Sequence, residues 1–299
     1  MRRRLDGVLL LDKPVGLGSN TVLQSVKRLF GAAKAGHAGT LDPLASGLLV
    51  ILFGEATKFS QLPLDADKEY LALAQLGVTT TTGDAEGEVL ERKTCAVSQE
   101  AIEPVLSRFR GDLEQVPPMY SALKQAGRPL YALAREGREV PRAARYIRVH
   151  ALEHLSLTDE RLELRIRCSK GTYIRTLAED IGRALGCGAH LAALRRTASG
   201  SFRIEQAATL DQLASASPAA RDAKLLPVER LLGELPRVDL PEAMAERFVQ
   251  GQALQVEHAP AGPCGVYGHQ GRLLGLGLGE GGAQGRLHPR RLLNYHASG

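Results

Sequence analysis

Two kinds of hydrophobic pattern alternate along this chain. Unbroken apolar runs at residues 7–11 and 48–53 predict strands covered on both faces, since neither leaves a position for solvent. The strict alternation Leu162-Glu163-Leu164-Arg165-Ile166-Arg167-Cys168 predicts the opposite, a strand with one wet face. Residues 68–76 alternate too, with Tyr70, Ala72 and Ala74 on one face and Leu71 and Leu73 on the other. Helical spacing takes over at Val22, Val26, Leu29 and Phe30, where Ser19, Asn20 or Thr21 is the expected cap and Gly31 the stop. It returns at Ile102, Val105, Leu106 and Phe109, and again at Ile174, Leu177, Ile181 and Leu185, which Gly186 terminates. The basic pair Arg195-Arg196 precedes a further short strand near 201–204. Strands and helices mixed without regular βαβ spacing predict an α+β fold with a mixed or antiparallel sheet.

The texture changes after about residue 213. Residues 213–236 are rich in Ala, Ser and Pro and read as a connector with a short helix. Beyond it the chain is Gly-rich with short apolar runs at 264–267 and 273–278, the pattern of a small β-rich unit. The expected division is a large domain over 1–236, connector included, and a small one over 237–299. Gly275-Leu276-Gly277-Leu278-Gly279 has no long amphipathic helix behind it, so it fails as a dinucleotide-binding loop.

Composition narrows the class. The chain has 299 residues, 44% hydrophobic and 24% charged, enough to bury a real core. Trp is absent, and only six Phe and seven Tyr occur, so Leu, Val, Ile and Ala must fill the interior. No stretch approaches the roughly 18 apolar residues of a membrane span, and the basic N-terminus lacks the apolar run of a signal peptide. Cys95, Cys168, Cys187 and Cys264 follow no paired spacing, which predicts reduced thiols and a cytoplasmic protein. Cys187 and His190 lack a second ligand pair, so a structural metal is not expected. The net charge is only +5, but its placement is telling. Lys124, Arg128, Arg135, Arg138, Arg142, Arg145 and Arg148 face only Glu136 and Glu139, so one segment carries an excess equal to the whole chain's. With Tyr120, Tyr131 and Tyr146 interleaved, it suits a nucleic-acid backbone with unstacked bases; a solvated helical face is the plainer reading.

The densest chemistry lies in residues 36–49, where Gly36, His37, Gly39, Asp42, Pro43, Ser46 and Gly47 sit together. Pro43 pushes Asp42 toward extended geometry, and the glycines allow close approach of a ligand. Such a loop can present one carboxylate to a substrate, although Asp-Pro and Gly are also ordinary turn punctuation.

Five ordered motifs resolve the ambiguity. They are Asp12-Lys13-Pro14, the 36–49 loop, Lys68-Glu69-Tyr70, Pro117-Pro118-Met119-Tyr120-Ser121-Ala122-Leu123-Lys124 and Lys170-Gly171-Thr172-Tyr173-Ile174-Arg175. Together they resemble the TruB family of tRNA pseudouridine-55 synthases over about residues 7–206, and the C-terminal unit resembles a PUA-type RNA-binding domain. Gly18, Ala38 and Ser46 stand where that family usually has hydroxyl-bearing residues. The resemblance implies Asp42 as the catalytic group and Arg175 as its guanidinium partner. It also implies Tyr70 stacked on the target uracil, Tyr173 lining the pocket, His37 supporting an extruded nucleotide and Lys13 supporting the Asp42 loop. It implies no cofactor and no metal, because the isomerisation exchanges no electrons. tRNA is the expected partner, with Lys124, Arg128, Arg138, Arg142 and Arg145 on the T arm and the C-terminal unit on the acceptor stem. No protein partner is expected of what would be a monomer. Two other readings stay open: an RNA chaperone that keeps the fold, and a glycoside or nucleoside hydrolase. The latter needs a second carboxylate, for which only the turn residues Asp84 and Glu86 are near.

Overall fold

The computed structural model describes residues 2–121, 123–125, 127–233 and 235–294; the side chains of Pro129, Tyr131 and Arg135 lie outside the described residues, two of them in the basic stripe. In chain order the strands are β1 (Gly7–Lys13), β2 (Ala35–Ala38), β3 (Ala45–Phe53), β4 (Lys68–Leu76), β5 (Val78–Thr80), β6 (Val89–Arg92) and β7 (Gly111–Gln115). Then come β8 (Lys124–Gln125), β9 (Arg128–Pro129), β10 (Arg145–Thr158), β11 (Arg161–Cys168), β12 (Ala189–Ser199), β13 (Phe202–Arg203) and β14 (Ala208–Thr209). A second group follows: β15 (Arg237–Asp239), β16 (Leu254–Glu257), β17 (Ala261–Tyr267), β18 (Leu273–Glu280) and β19 (Gln284–Leu292).

The main sheet runs β14-β1-β3-β12-β4-β11-β10-β7, with β2 added to β3 and β13 to β12. Pairing is antiparallel except at β1–β14 and β3–β12, which makes the sheet mixed, as expected of an α+β chain. The two apolar runs become β1 and β3, paired through all seven residues of β1 and buried on both faces. On one face Leu9, Leu11, Leu49, Ile51 and Phe53 meet Val22, Val26 and Phe30 of the first helix region. On the other, Val8, Leu10, Leu48, Val50 and Leu52 meet Val228, Leu231 and Leu232. Strand β11 alternates exposed and buried residues without exception. Its buried side joins Ala72, Ala74, Ile102, Leu177 and Ile181 in a second core.

One expectation is corrected and two are extended. The helix Ser19–Leu29 has Gly18 at its N-cap and no side-chain cap, because the Ser19 hydroxyl is bonded elsewhere. The short strand expected after Arg195 and Arg196 is present as β13, but the two arginines themselves lie inside a longer strand, β12, between β3 and β4. The 213–236 connector is packed against the main sheet: Leu213, Val228 and Leu231 are buried, and Val8 and Leu226 exchange both backbone hydrogen bonds.

The C-terminal strands form their own sheet, β15-β17-β18-β19-β16, over a core built on Phe248, Leu254, Val266 and Leu287. That sheet is fastened to the larger one. Leu273 and Leu293 share a cluster with Val8, Leu48 and Leu52, Lys58 Nζ donates to the Leu292 carbonyl at 2.9 Å, and the Asn294 N–H donates to Glu55 at 2.6 Å. Leu273→Ala should therefore cost roughly 2–5 kcal/mol, the usual range for a fully buried leucine. Denaturant unfolding should show that loss in the main sheet as well as in the C-terminal one; a loss confined to the latter would show that the two are uncoupled.

Candidate active site

The 39–44 loop is held from below before it presents anything. The Ser19 hydroxyl accepts from the Leu41 N–H and donates to the Leu41 carbonyl, both at 2.8 Å. The Gly16 N–H donates to Pro43 O at 2.8 Å. Lys13, fully buried, turns its ammonium onto the carbonyls of Pro14 and Leu17 at 2.8 and 2.6 Å, which shapes the adjoining loop. Burial pulls Lys13 down to about 8, and the nearby Asp42 carboxylate pulls the other way.

Asp42 projects from this loop with about half of its side chain exposed, 3.0 Å from Nη2 of Arg175. Arg175 sits in the first turn of the helix Ile174–Ala184, almost fully buried. The helix dipole disfavours a cation there, and two carboxylates offset the cost. Its Nη1 faces Oδ2 of the buried Asp84 at 3.1 Å, and the guanidinium also donates to the carbonyls of Thr82 and Tyr120. Asp84 Oδ1 accepts from the Thr82 hydroxyl and the Glu86 N–H, so this carboxylate is committed to structure. The start of the helix is fixed by Gln115, whose side chain bonds both the N–H and the carbonyl of Tyr173 at 2.7 and 3.0 Å.

Asp42 and Arg175 form a partition between two cavities. One, of about 340 Å³, is lined by Tyr70, Tyr173, Lys68, Leu194 and Arg196. The other, of about 360 Å³, is lined by Ser19, Asn20, Asp84, Glu86 and Tyr120. A larger cavity, about 700 Å³, lies on the C-terminal sheet between Glu242, Glu246, His269 and Arg272 and shares no residue with these two.

Arg196 closes the floor of the first cavity. Only 2% exposed, it donates from Nε to Leu48 O at 2.7 Å and from Nη2 to Gly39 O at 2.9 Å. Burial raises the pKa of the Tyr70 hydroxyl, and the Arg196 charge opposes that rise. Two glycines make room for Arg196. A Cβ on Gly39 (φ +86°) would lie 3.2 Å from the guanidinium, and one on Gly47 (φ +98°) 2.3 Å from the Arg196 carbonyl. Lys68 is buried beside it, donating to the carbonyls of Pro63, Leu64 and Ala66.

Of the residues expected from sequence, the fold brings Asp42, Tyr70, Tyr173 and Arg175 around one cavity. Lys13 lies beneath the loop and outside the lining. His37, on β2, is half-buried with an unpartnered Nδ1 and lines neither cavity; desolvation and the Arg196 charge lower its pKa. The basic stripe is not one helical face. Lys124 and Arg128 stand on the β8–β9 hairpin and Arg145 opens β10, while Arg128 pairs with Glu136 and Arg142 with Glu139. Sequence reasoning missed Arg196, Lys68 and Asp84. Two register shifts in β12 break the period-2 signal that would have put Arg196 in a strand.

Models of three family segments match this chain: the TruB family pseudouridylate synthase N-terminal domain at residues 27–174, the tRNA pseudouridylate synthase B C-terminal domain at 175–233, and the pseudouridine synthase II TruB C-terminal segment at 236–293. A tRNA pseudouridine synthase B of Azoarcus sp. (strain BH72) is 53% identical, over 98% of this chain and 96% of its own. That of Ectopseudomonas mendocina (strain ymp) is 52% identical, over 98% and 97%. The chain belongs to the TruB family. Among solved structures, a chain of a Cbf5–Nop10–Gar1 complex matches at a TM-score of 0.75 and 28% identity, over 96% of this chain and 84% of that one. A chain of an H/ACA RNP bound to a substrate RNA containing 2′-deoxyuridine matches at 0.74 and 26%, over 97% and 86%. This TruB chain is thus a pseudouridine synthase, an isomerase, and its fold is that of the family. Among the described residues no group of three or more His, Cys, Asp or Glu is placed to hold a metal, and no helix is long and apolar enough to cross a membrane.

Two measurements probe the buried cations of this TruB site. Arg196→Met leaves the Gly39 and Leu48 carbonyls unpaired, which should cost roughly 1–3 kcal/mol each. Equilibrium unfolding reads that cost, and an unchanged stability would mean that the carbonyls find other donors. Lys68 is pulled by burial from 10.5 to about 8. Between those values the unfolded chain binds more protons, so this lysine favours folding increasingly as pH rises through that window. The stability difference between wild type and Lys68→Met should therefore change in favour of wild type from pH 8 to 10.5; a flat difference would refute the assignment.

Proposed function

We propose that this enzyme converts the T-loop uridine at position 55 of tRNA to pseudouridine, with Asp42 as its catalytic carboxylate. The observation that carries the reading is the Asp42–Arg175 pair on the wall of a cavity flanked by Tyr70 and Tyr173. The reaction breaks the bond from C1′ to N1, turns the uracil and joins C1′ to C5. The proton lost at C5 balances the one gained at N1, so the isomerisation needs no cofactor. It does need a negative group beside C1′ and C6 of the nucleotide. Arg175 aims the Asp42 carboxylate through a forked donor that an ammonium cannot reproduce.

The remaining residues serve access and recognition. A loop base reaches this cavity only when unstacked from its neighbours, at a cost of a few kcal/mol that cavity contacts must offset. Tyr70 offers a face for the uracil, and Tyr173 packs the opposite side. His37, neutral near pH 7, supports the extruded nucleotide with its half-buried ring. Assistance to tRNA folding is compatible with the same contacts. Lys124, Arg128, Arg138, Arg142 and Arg145 are read as contacts to the T arm, and the C-terminal sheet to the acceptor stem. We read residues 1–236 as the catalytic domain and 237–299 as a PUA-like domain of a monomeric, cytoplasmic enzyme. Of the two carboxylates that the hydrolase reading could use, Asp84 is buried and bonded to Arg175, Thr82 and the Glu86 N–H, and Glu86 lines only the second cavity, not the one with Tyr70 and Tyr173.

Pseudouridine mapping in tRNA incubated with the purified chain tests this directly. Asp42→Asn should abolish product while leaving tRNA affinity nearly unchanged; turnover above a few per cent of wild type would reject Asp42. Arg175→Lys should be severe as well.

Neutralising Arg138, Arg142 and Arg145 together should weaken tRNA binding and flatten its salt dependence, since each phosphate contact releases counterions. The single-turnover rate at saturating tRNA should change far less. An unaltered salt slope would mean that the stripe is only a solvated surface.

A further inference from the structure

Cys95 and Cys187 are 92 positions apart in the chain, yet their sulfurs lie 3.3 Å from each other. Cys187 is buried in the turn that follows the helix Ile174–Ala184, and Cys95 is half-buried in the segment after β6. Backbone bonds converging on Gly77 hold both segments in place. The Lys93 N–H donates to Gly77 O at 2.8 Å, the Gly77 N–H to Gly188 O at 2.9 Å and the Gly188 N–H to Gly182 O at 2.9 Å. A Cβ at Gly77 would stand only 3.4 Å from that of Cys95. The two segments that carry the sulfurs are therefore held side by side by main-chain bonds. Cys168 in β11 and Cys264 in β17 are also free and buried, and each lies on a different strand from this pair.

We propose that Cys95 and Cys187 are a redox modification site, closing to an intramolecular disulfide when the enzyme meets a low-molecular-weight disulfide such as oxidised glutathione. Cys95, the more accessible of the two, attacks as its thiolate; the small disulfide breaks and releases one thiol. Cys187 then gives up its proton and attacks Cys95 Sγ, which expels the second small thiol. Two protein thiols are oxidised and one disulfide is reduced to two thiols, which take up the two protons. Burial and the neighbouring sulfur push Cys187 up to about 11, so the closing step accelerates at alkaline pH. A disulfide needs an S–S distance of about 2.05 Å, a small contraction from the contact already present.

The bridge would join two elements of the active site by a covalent bond. The β5–β6 hairpin carries Asp84, and the helix that ends beside Cys187 carries Arg175 in its first turn. Closing such a loop restricts the unfolded chain, so the oxidised form should melt at a higher temperature than the reduced one.

The full chain is incubated with oxidised glutathione at mildly alkaline pH, alkylated and digested. The expected result is one linked peptide pair containing Cys95 and Cys187, with two of the four thiols lost to alkylation. The melting temperature should rise and return to its starting value with dithiothreitol. Cys95→Ser and Cys187→Ser should each remove that rise, whereas Cys168→Ser and Cys264→Ser should keep it. The proposal is overturned if both thiols stay alkylatable, if Cys95 stops at a mixed disulfide with glutathione, or if the bond joins two chains. The mass measurement on wild type decides between these outcomes even if a serine variant fails to fold.

Discussion

A single guanidinium organises the candidate active site. Arg175 is buried, so its charge has to be matched, and it is matched twice: by Asp84, itself buried, and by Asp42, half-open to solvent. The asymmetry matters. Asp84 anchors the cation to the β5–β6 hairpin, which leaves the second prong free to aim Asp42 at the cavity beside Tyr70. Removing one partner of such a group leaves an uncompensated charge in a place with little water, and this makes the arrangement all-or-none. Tyr173 is placed by the same element, since Gln115 locks the residue immediately before the helix.

Around this pair the interior holds more positive charge than a hydrophobic core would tolerate. Lys13, Lys68 and Arg196 are all buried, and each is bonded mainly to backbone carbonyls. Carbonyl dipoles satisfy their donors but do not cancel their charge. Two of the three, Lys68 and Arg196, line the first cavity, so its wall carries positive charge held in place by the backbone. The same bonds stiffen the floor, because Arg196 ties the 39–44 loop and β3 to a central strand, opposite Tyr70 in the β12–β4 register.

Much of this was legible in the sequence, and the exceptions share a cause. The covered strands β1 and β3 and the half-wet β11 follow directly from their apolar patterns, because burial alone decides them. Asp42, Tyr70, Tyr173 and Arg175 were found through ordered motifs, and the fold collects them at one cavity. The misses are polar residues whose value is set by distant partners. Ser19 looked like a helix cap, but the Leu41 backbone, 22 residues away, claims its hydroxyl. Asp84 looked like turn punctuation until Arg175 appeared beside it. Arg196 was legible only as half of a basic pair before a short strand, because the irregular register of β12 hides the strand that holds it. Local pattern reports which face is covered; it cannot report which chain segment does the covering.

Strand β12 also dictates the order in which the molecule can be assembled. It lies between β3 and β4, neighbours in sequence, and pairs with both, yet it comes more than a hundred residues after them. As the chain leaves the ribosome, β3 and β4 must each wait with an unpaired edge until residues 189–199 emerge. Pairing over such separations is slow, because loop closure is paid for before any contact rewards it. Exposed apolar edges are hazardous meanwhile. The floor of the candidate site and the keystone of the sheet are the same strand, so a nascent chain that has not closed its sheet has not yet built that cavity.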